Sequence, residues 1–455
     1  MGNERRHVSV KQSNATWHSA HVTRGVLLCL VLTGCFEPPC EAVSEPGRPP
    51  IPCFAPAAVD SGQPFDAGRV VDAGRVVDAG RVDAGTDAGV RDAGFDAGFV
   101  VSSDGGVRVV DLGVVITNDA GVSPELTVDL GAGDEGFLIE LIGVRVPALT
   151  ELQADAIRNP RGTTLALGRA DSLHLSRSRP DTEVQAAVVL ESDDARAEFI
   201  SGTWRFRVAS RDERGRPRGG VSVAVRVFVK ARPPPGPQRL ALNLFFSGSA
   251  GLTAATAPAQ ARLQQGLRGF RDFYADAGIT LEPPRLFDLP PGFSAVTSMF
   301  DVDGGSRMGT SAQNLWRQSA IAPRGMNLFF VESLSLDPRL PPGAVLGVAG
   351  GRPGATMTQG TSASGVIVLF DSATFVARMP GDVDPLPIVL AHEVGHQLGL
   401  AHVFELNGEV DNMSDTPMDG EPNADANLMT PFANNQGLLS PLQKTGLRRN
   451  PVVQP

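Results

Sequence analysis

Three histidines fall within eleven residues, His392-Glu393-Val394-Gly395-His396-Gln397-Leu398-Gly399-Leu400-Ala401-His402, and one unbroken helix cannot bring all three to a common point. His392 and His396 are one helical turn apart and project about 40° from each other, so both imidazoles can reach one ion. Glu393 lies about 100° round from His392, beside that ion without needing to bind it. His402 would sit roughly 15 Å along the axis from His392 if the helix continued. A zinc–nitrogen bond of about 2.0–2.1 Å rules out a shared metal at that distance. The chain must therefore leave the helix between the second and third histidines. Gly399 stands there, and glycine accepts the left-handed conformation that ends helices.

Three neutral imidazoles leave a fourth coordination position open, which is the catalytic rather than the structural arrangement of zinc. Glu393 is then placed to take a proton from a metal-bound water. Residues 392–402 fit H-E-x-x-H-x-x-G-x-x-H at all five fixed positions. With 7 His and 51 Gly in 455 residues, chance supplies that pattern on the order of 10⁻⁸ times per start position, so coincidence is set aside.

The pattern resembles the signature of the metzincin clan of zinc endopeptidases. Asn427-Leu428-Met429-Thr430-Pro431 supplies a candidate for the methionine turn of that clan, with Met429 set below the metal. Met413 and Met418 are nearer but stand in less apolar surroundings. His402-Val403-Phe404, Asp415-Thr416-Pro417, Asn427-Leu428-Met429, Leu346-Gly347-Val348-Ala349 and Leu439-Ser440-Pro441-Leu442-Gln443 are similar to motifs of the pappalysin-like branch, over roughly residues 345–446. The resemblance implies bound Zn2+ and an edge strand at Gly347, Val348 and Ala349 that pairs with a peptide substrate. It also implies protein or peptide substrates. Asp411, Asp415, Asp419, Glu421 and Asp425 give an acidic loop whose hard oxygen ligands suit Ca2+, as in similar enzymes; a solvated loop is the competing reading. Two features depart from the branch. The chain's one tyrosine, Tyr274, precedes the motif, and all four cysteines precede position 54. A metal- or oxyanion-assisting tyrosine after the turn methionine is thus missing, and a matrix-metalloprotease-like branch, with Met-x-Pro at its turn, stays open beside the pappalysin-like one.

Upstream, Arg24 precedes the apolar run Val26–Leu32, which ends in Thr33-Gly34-Cys35. This reads as a signal peptide, and Leu32-Thr33-Gly34-Cys35 resembles a bacterial lipobox, with Cys35 as the lipidated residue and membrane anchor. The expected location is the bacterial cell envelope, at the outer membrane, facing the periplasm or exterior. Cys40 and Cys53 could form one disulfide there. The body of the chain carries no cysteine, which excludes a thiol nucleophile and a cysteine-rich structural zinc site. A net charge of −10 without a basic cluster gives no sign of nucleic-acid binding. Nothing in the sequence sets the oligomeric state.

Residues 36–106 read as a disordered tether rich in Asp-Ala-Gly, repeated at Asp66, Asp72, Asp78, Asp83, Asp87, Asp92 and Asp96; the drifting interval argues against a calcium-binding roll. Residues 107–232 show short alternating runs, at 107–115, 136–146, 183–190, 202–208 and 221–229, which fit an antiparallel β-sandwich. Trp204-Arg205-Phe206-Arg207-Val208 places its apolar residues on one face. Within this part His174 reads as a surface or capped histidine. Pro233–Pro237 reads as a stiff linker. In 238–455, a buried strand at 240–246, a helix near 257–277, strands at 279–281 and 327–331, a helix near 311–319, and strands at 345–349 and 366–370 alternate. That order implies a mostly parallel, twisted α/β sheet with the histidine helix across it. Asp384 and Pro385 stand where that helix would be capped. The fold class expected is therefore multidomain, an all-β sandwich followed by a metzincin-like α/β domain. A second functional class stays open at this point: a non-catalytic surface-binding or adhesion lipoprotein built on a degenerate peptidase scaffold.

Overall fold

The computed structural model describes residues 99–104, 106–147, 150–165, 183–188, 199–212, 214–293, 295–296, 310–334, 345–370, 384–404, 411, 413–417, 426–431 and 437–455. Cys35, the signal segment, nearly all of the tether, His174, Met418 and the acidic residues 419, 421 and 425 lie outside them.

Among the described residues the first part holds eight strands: β1 (Phe99–Asp104), β2 (Val107–Ile116), β3 (Leu126–Leu130), β4 (Asp134–Arg145), β5 (Thr150–Arg158), β6 (Val184–Val188), β7 (Gly202–Asp212) and β8 (Ser222–Ala231). They form two antiparallel sheets, ordered β1-β2-β8-β4-β6 and β3-β7-β5. One apolar cluster between the sheets draws on both, with Phe137, Ile139, Leu141, Val225 and Val227 from the first and Trp204, Phe206 and Val208 from the second. Arg205 and Arg207 are exposed between the buried residues of β7, the alternation expected of a half-buried strand. The hairpin of β1 on β2 begins inside the segment read as tether, so that boundary lies before residue 99. The alternating pattern had also left β3 and β5 unassigned.

The second part runs β9 (Gln238–Leu240), β10 (Leu242–Phe246), α1 (Ala261–Asp276), β11 (Ile279–Leu281), β12 (Arg285–Asp288), β13 (Ala295–Val296), α2 (Thr310–Arg317), β14 (Met326–Val331), β15 (Ser333–Leu334), β16 (Gly347–Ala349), β17 (Val366–Leu369), α3 (Leu386–Leu398) and α4 (Pro441–Arg449). Its main sheet is ordered β12-β10-β14-β17-β16. The first four strands are parallel and β16 is antiparallel to β17 at the edge. In-register neighbours stack their rings, Phe245 with Phe287 at 4.9 Å and with Phe329 at 4.5 Å. The run 240–246 divides at Ala241 because its partner changes there, from β11 to β12 and β14.

Helix α3 is buried along nearly its whole length, from Val389 through Leu398, as an apolar-all-round helix must be. Arg262 of α1 donates to both oxygens of Asp384, at 2.6 and 3.2 Å. Asp384 in turn accepts from Leu386 N–H at 3.1 Å, so the residue expected to cap this helix also ties it to α1. At the other end, Ser440 and Gln443 of α4 form a reciprocal capping box, the S-x-x-Q signature of a helix start.

The two parts do not stand apart across their proline linker. The outer face of the β1-β2-β8-β4-β6 sheet contributes Val107, Leu138, Ala186 and Phe228 to the core of the second part. Lys230, fully buried, donates to Gln238 Oε1 at 2.5 Å and to the carbonyl of Arg448.

Candidate metal centre

Helix α3 ends as the spacing demands. Gly399 adopts φ 116°. Its N–H bonds the carbonyl of His396 at 2.8 Å, and Leu400 N–H bonds the carbonyl of Gly395 at 2.9 Å. These paired bonds are a Schellman close, which satisfies carbonyls a helix end leaves open. The chain turns back, and His402 arrives beside the helix it has just left.

The three rings then converge. His402 Nε2 lies 3.2 Å from His392 Nε2 and 3.0 Å from His396 Nε2. All three side chains are buried. Two rings are fixed from behind: His392 Nδ1 faces the carbonyl of Leu428 at 2.7 Å, and His396 Nδ1 faces that of Leu400 at 2.8 Å. A carbonyl accepts only from N–H, so both rings carry their proton on Nδ1 and turn the Nε2 lone pair inward. Burial, and then the charges of His402 and His392, hold His396 well below the usual imidazole range, which keeps it neutral. Lone pairs aimed at one point repel, and either a cation or an N–H of the third ring relieves that repulsion. Tetrahedral zinc at about 2.0–2.1 Å would hold its nitrogens about 3.3 Å apart, and the observed 3.0 and 3.2 Å are close to that. The residues therefore fit a divalent ion of the zinc type. Among the described residues this is the one cluster of three or more potential metal-ligating side chains.

Glu393 is fully buried at the same place. Its oxygens find no hydrogen bond of good geometry among the described residues. Burial pushes its carboxyl up to about 8, offset only in part by the Ala349 amide. Strand β16 passes directly over it: a β-carbon on Gly347 would lie 2.6 Å from Glu393 Cγ. The three residues expected to form the substrate edge thus sit at the sheet edge beside this carboxylate.

Below the helix lies Met429, fully buried. Its carbonyl accepts from Val403 N–H at 3.0 Å, and Asn427 Oδ1 accepts from its N–H at 2.8 Å. Asn427 also donates to Gln443 Oε1 at 3.0 Å. The turn that carries Met429 thereby supplies the Leu428 carbonyl that orients His392. Met413 is buried in the same core but does not hold this position. Of the acidic loop, Asp415 accepts from Ser440 Oγ at 2.7 Å and Leu442 N–H at 2.8 Å. Asp411 accepts from Met413 N–H and Thr416 Oγ1. Both described carboxylates bond to protein, so they organise the loop and the start of α4. Tyr274 donates from behind α3 to the carbonyl of Ala391 at 3.2 Å and does not replace the missing tyrosine.

The sequence marks Asn427 only as part of the methionine turn and gives Gln397 no signal as a positioning residue. A polar residue one place past a ligand carries no periodic signal, and Gln443 was legible only as a helix start.

Residues 352–443 match the model of the peptidase family described as pregnancy-associated plasma protein-A. No curated protein matches the chain. The crystal structure of metalloproteinase-II from Bacteroides fragilis is similar over 51% of this chain and 63% of its own, at 16% identity and a TM-score of 0.29. The chain thus spans less than two thirds of that structure.

Proposed function

We propose that this chain, which by residues 352–443 belongs with the pappalysin-like metallopeptidases, is a zinc-dependent endopeptidase that cleaves extracellular or envelope proteins. The observation that carries the proposal is the convergence of three buried Nε2 atoms beside a buried carboxylate without a good hydrogen-bond partner.

His392, His396 and His402 would hold Zn2+, with Leu428 and Leu400 carbonyls fixing two of the rings. Zinc would supply Lewis-acid polarisation of the scissile carbonyl and acidify a water. Glu393 accepts the proton of that water on its carboxylate and donates it to the leaving amine. Burial raises the proton affinity of Glu393 and the charge of a bound cation would lower it again, so the group can take up a proton and release it. Gly347, Val348 and Ala349 would align an extended peptide by strand addition at the sheet edge, which holds the scissile bond over Glu393.

We read the layout as a β-sandwich followed by a metzincin-like α/β domain, joined at 233–237. We further propose that Cys35 is lipidated and anchors the protein to the envelope membrane. No helix among the described residues is long and apolar enough to cross a membrane. The reading as a non-catalytic binding lipoprotein leaves Glu393 unexplained, since a buried carboxylate lacking good partners costs stability. The proposal takes Zn2+ as the cofactor and keeps Ca2+ at the acidic loop as a second candidate, of whose five carboxylates the described Asp411 and Asp415 bond within the protein.

The deciding experiment compares wild type with Glu393→Ala. The variant should bind one zinc per chain and lose casein or gelatin hydrolysis by at least about 10²-fold. Unchanged hydrolysis in the zinc-loaded variant would remove Glu393 from the mechanism. Wild-type protein with stoichiometric zinc and no peptidase activity would return the binding-protein reading.

A further inference from the structure

Residues 350–365 join β16 to β17 without regular secondary structure, yet they are largely buried. Irregular segments ordinarily stay at the surface, because their backbone polar groups need water. This one is enclosed from two sides.

On the inner side it clasps α3 next to a histidine. Gly350 N–H donates to Gln397 Oε1 at 3.0 Å, Gly354 N–H donates to the Gln397 carbonyl at 3.1 Å, and Gln397 Nε2 donates to the carbonyl of Ala363 at 2.9 Å. Gly350 also pairs with Gly365 at 2.8 Å, directly after β16. Outside, the cover is the N-terminal pair of sheets. Glu140 of β4 is fully buried; its two oxygens accept from Met357 N–H at 2.8 Å and Thr358 Oγ1 at 2.5 Å. Two positions along β4, Ile142 packs with Val184 of β6 against Ala355 and Ala363. Among the described residues no cation lies within salt-bridge distance of Glu140, although the charge of Arg226, its cross-strand neighbour, favours the ionised form; the buried carboxylate grips one backbone amide and one hydroxyl of this segment. An apolar residue would have served a merely adhesive contact, without the cost of burying a charge.

We propose that the sheet pair is a wall of the peptide-binding apparatus: through Glu140, Ile142 and Val184 it fixes the 350–365 segment and so sets β16 against α3. Glu140 is a positioning residue, acting on the register of β16 through Met357 and Thr358, which lie 217 and 218 residues away in sequence. The inference rests on the peptidase reading only for its effect on substrate. Its structural content, that the sheet pair holds β16 in place, stands apart from it.

The test uses the full chain with Glu140→Leu, Glu140→Gln and Thr358→Val, the last of which leaves the carboxylate intact if Glu140→Leu fails to fold. Amide hydrogen exchange at Gly350, Gly354 and Met357 should accelerate roughly tenfold or more in Glu140→Leu and Thr358→Val, the consequence of losing a hydrogen bond to a charged group. Glu140→Gln, which keeps an acceptor, should fall between them and wild type. Zinc stoichiometry should stay at one. For a peptide long enough to pair with β16, KM should rise about tenfold with a smaller change in kcat. Wild-type exchange at Gly350 and Gly354 in the folded variants overturns the inference. Accelerated exchange in a protein that proves to have no peptidase activity would instead overturn the functional reading and leave the positioning role standing.

Discussion

The sulfur of Met429 packs against Gly395, one residue before the second histidine: a β-carbon at position 395 would lie 2.7 Å from Met429 Sδ. No real β-carbon tolerates that approach. The methionine turn and the histidine helix therefore meet at a point where the helix offers no side chain. The same turn presents the Leu428 carbonyl to His392, so contact below the helix and orientation above it are coupled.

Gly395→Ala should accordingly do two things at once. Overpacking should lower stability by about 1–3 kcal/mol, read as a shift in a urea midpoint. Displacement of the turn should also weaken zinc binding in a chelator competition. A variant with wild-type zinc affinity would separate Met429 packing from the orientation of His392.

Removing the metal should destabilise the protein, because an ion that binds the folded site and not the unfolded chain shifts the equilibrium toward the folded state. At free zinc a thousandfold above Kd, binding adds about 4 kcal/mol. Calorimetry with and without chelator should show that loss in wild type, and His402→Ala should be nearly insensitive to chelator.

Gly399 tests the helix break separately from the ligands. An L-residue at φ 116° is strained, so Gly399→Ala should cost about 1–2 kcal/mol. Because His402 reaches the site only through this turn, zinc affinity should fall in parallel. Equal affinity in wild type and variant would show that the return of the chain is enforced elsewhere.

Asp411 gives a pH dependence. Burial pushes its carboxyl up to about 7 from an ordinary 3.8, opposed by bonds from Met413 and Thr416. Below about pH 4 the group is protonated whether the chain is folded or not. Between there and about 7 the folded state holds a proton that the unfolded chain releases, so stability is lost as pH rises through that window. Asp411→Asn should remove this slope and be more stable than wild type at pH 8, measured by denaturant titration at pH 4, 6 and 8.

Much of the site was legible in the residues themselves. Reach along a helix axis excludes His402 unless the chain breaks, and only Gly399 could break it; that argument needs no tertiary contact. The alternation in β7, the capping box at Ser440 and the apolar turn around Met429 are likewise local signals, set by the period of a strand or the open groups at a helix end. What the fold alone decided joins residues far apart. The division of 240–246 at Ala241 follows from a change of strand partner. Asp415, read as a candidate calcium ligand, anchors a helix 25 residues on. Glu140 gives no sign in the alternating pattern of β4 that its outward carboxylate will be buried against Met357. Local periodicity fixes which face a side chain takes, while what meets that face depends on how the whole chain is wound, and no short stretch of sequence contains that.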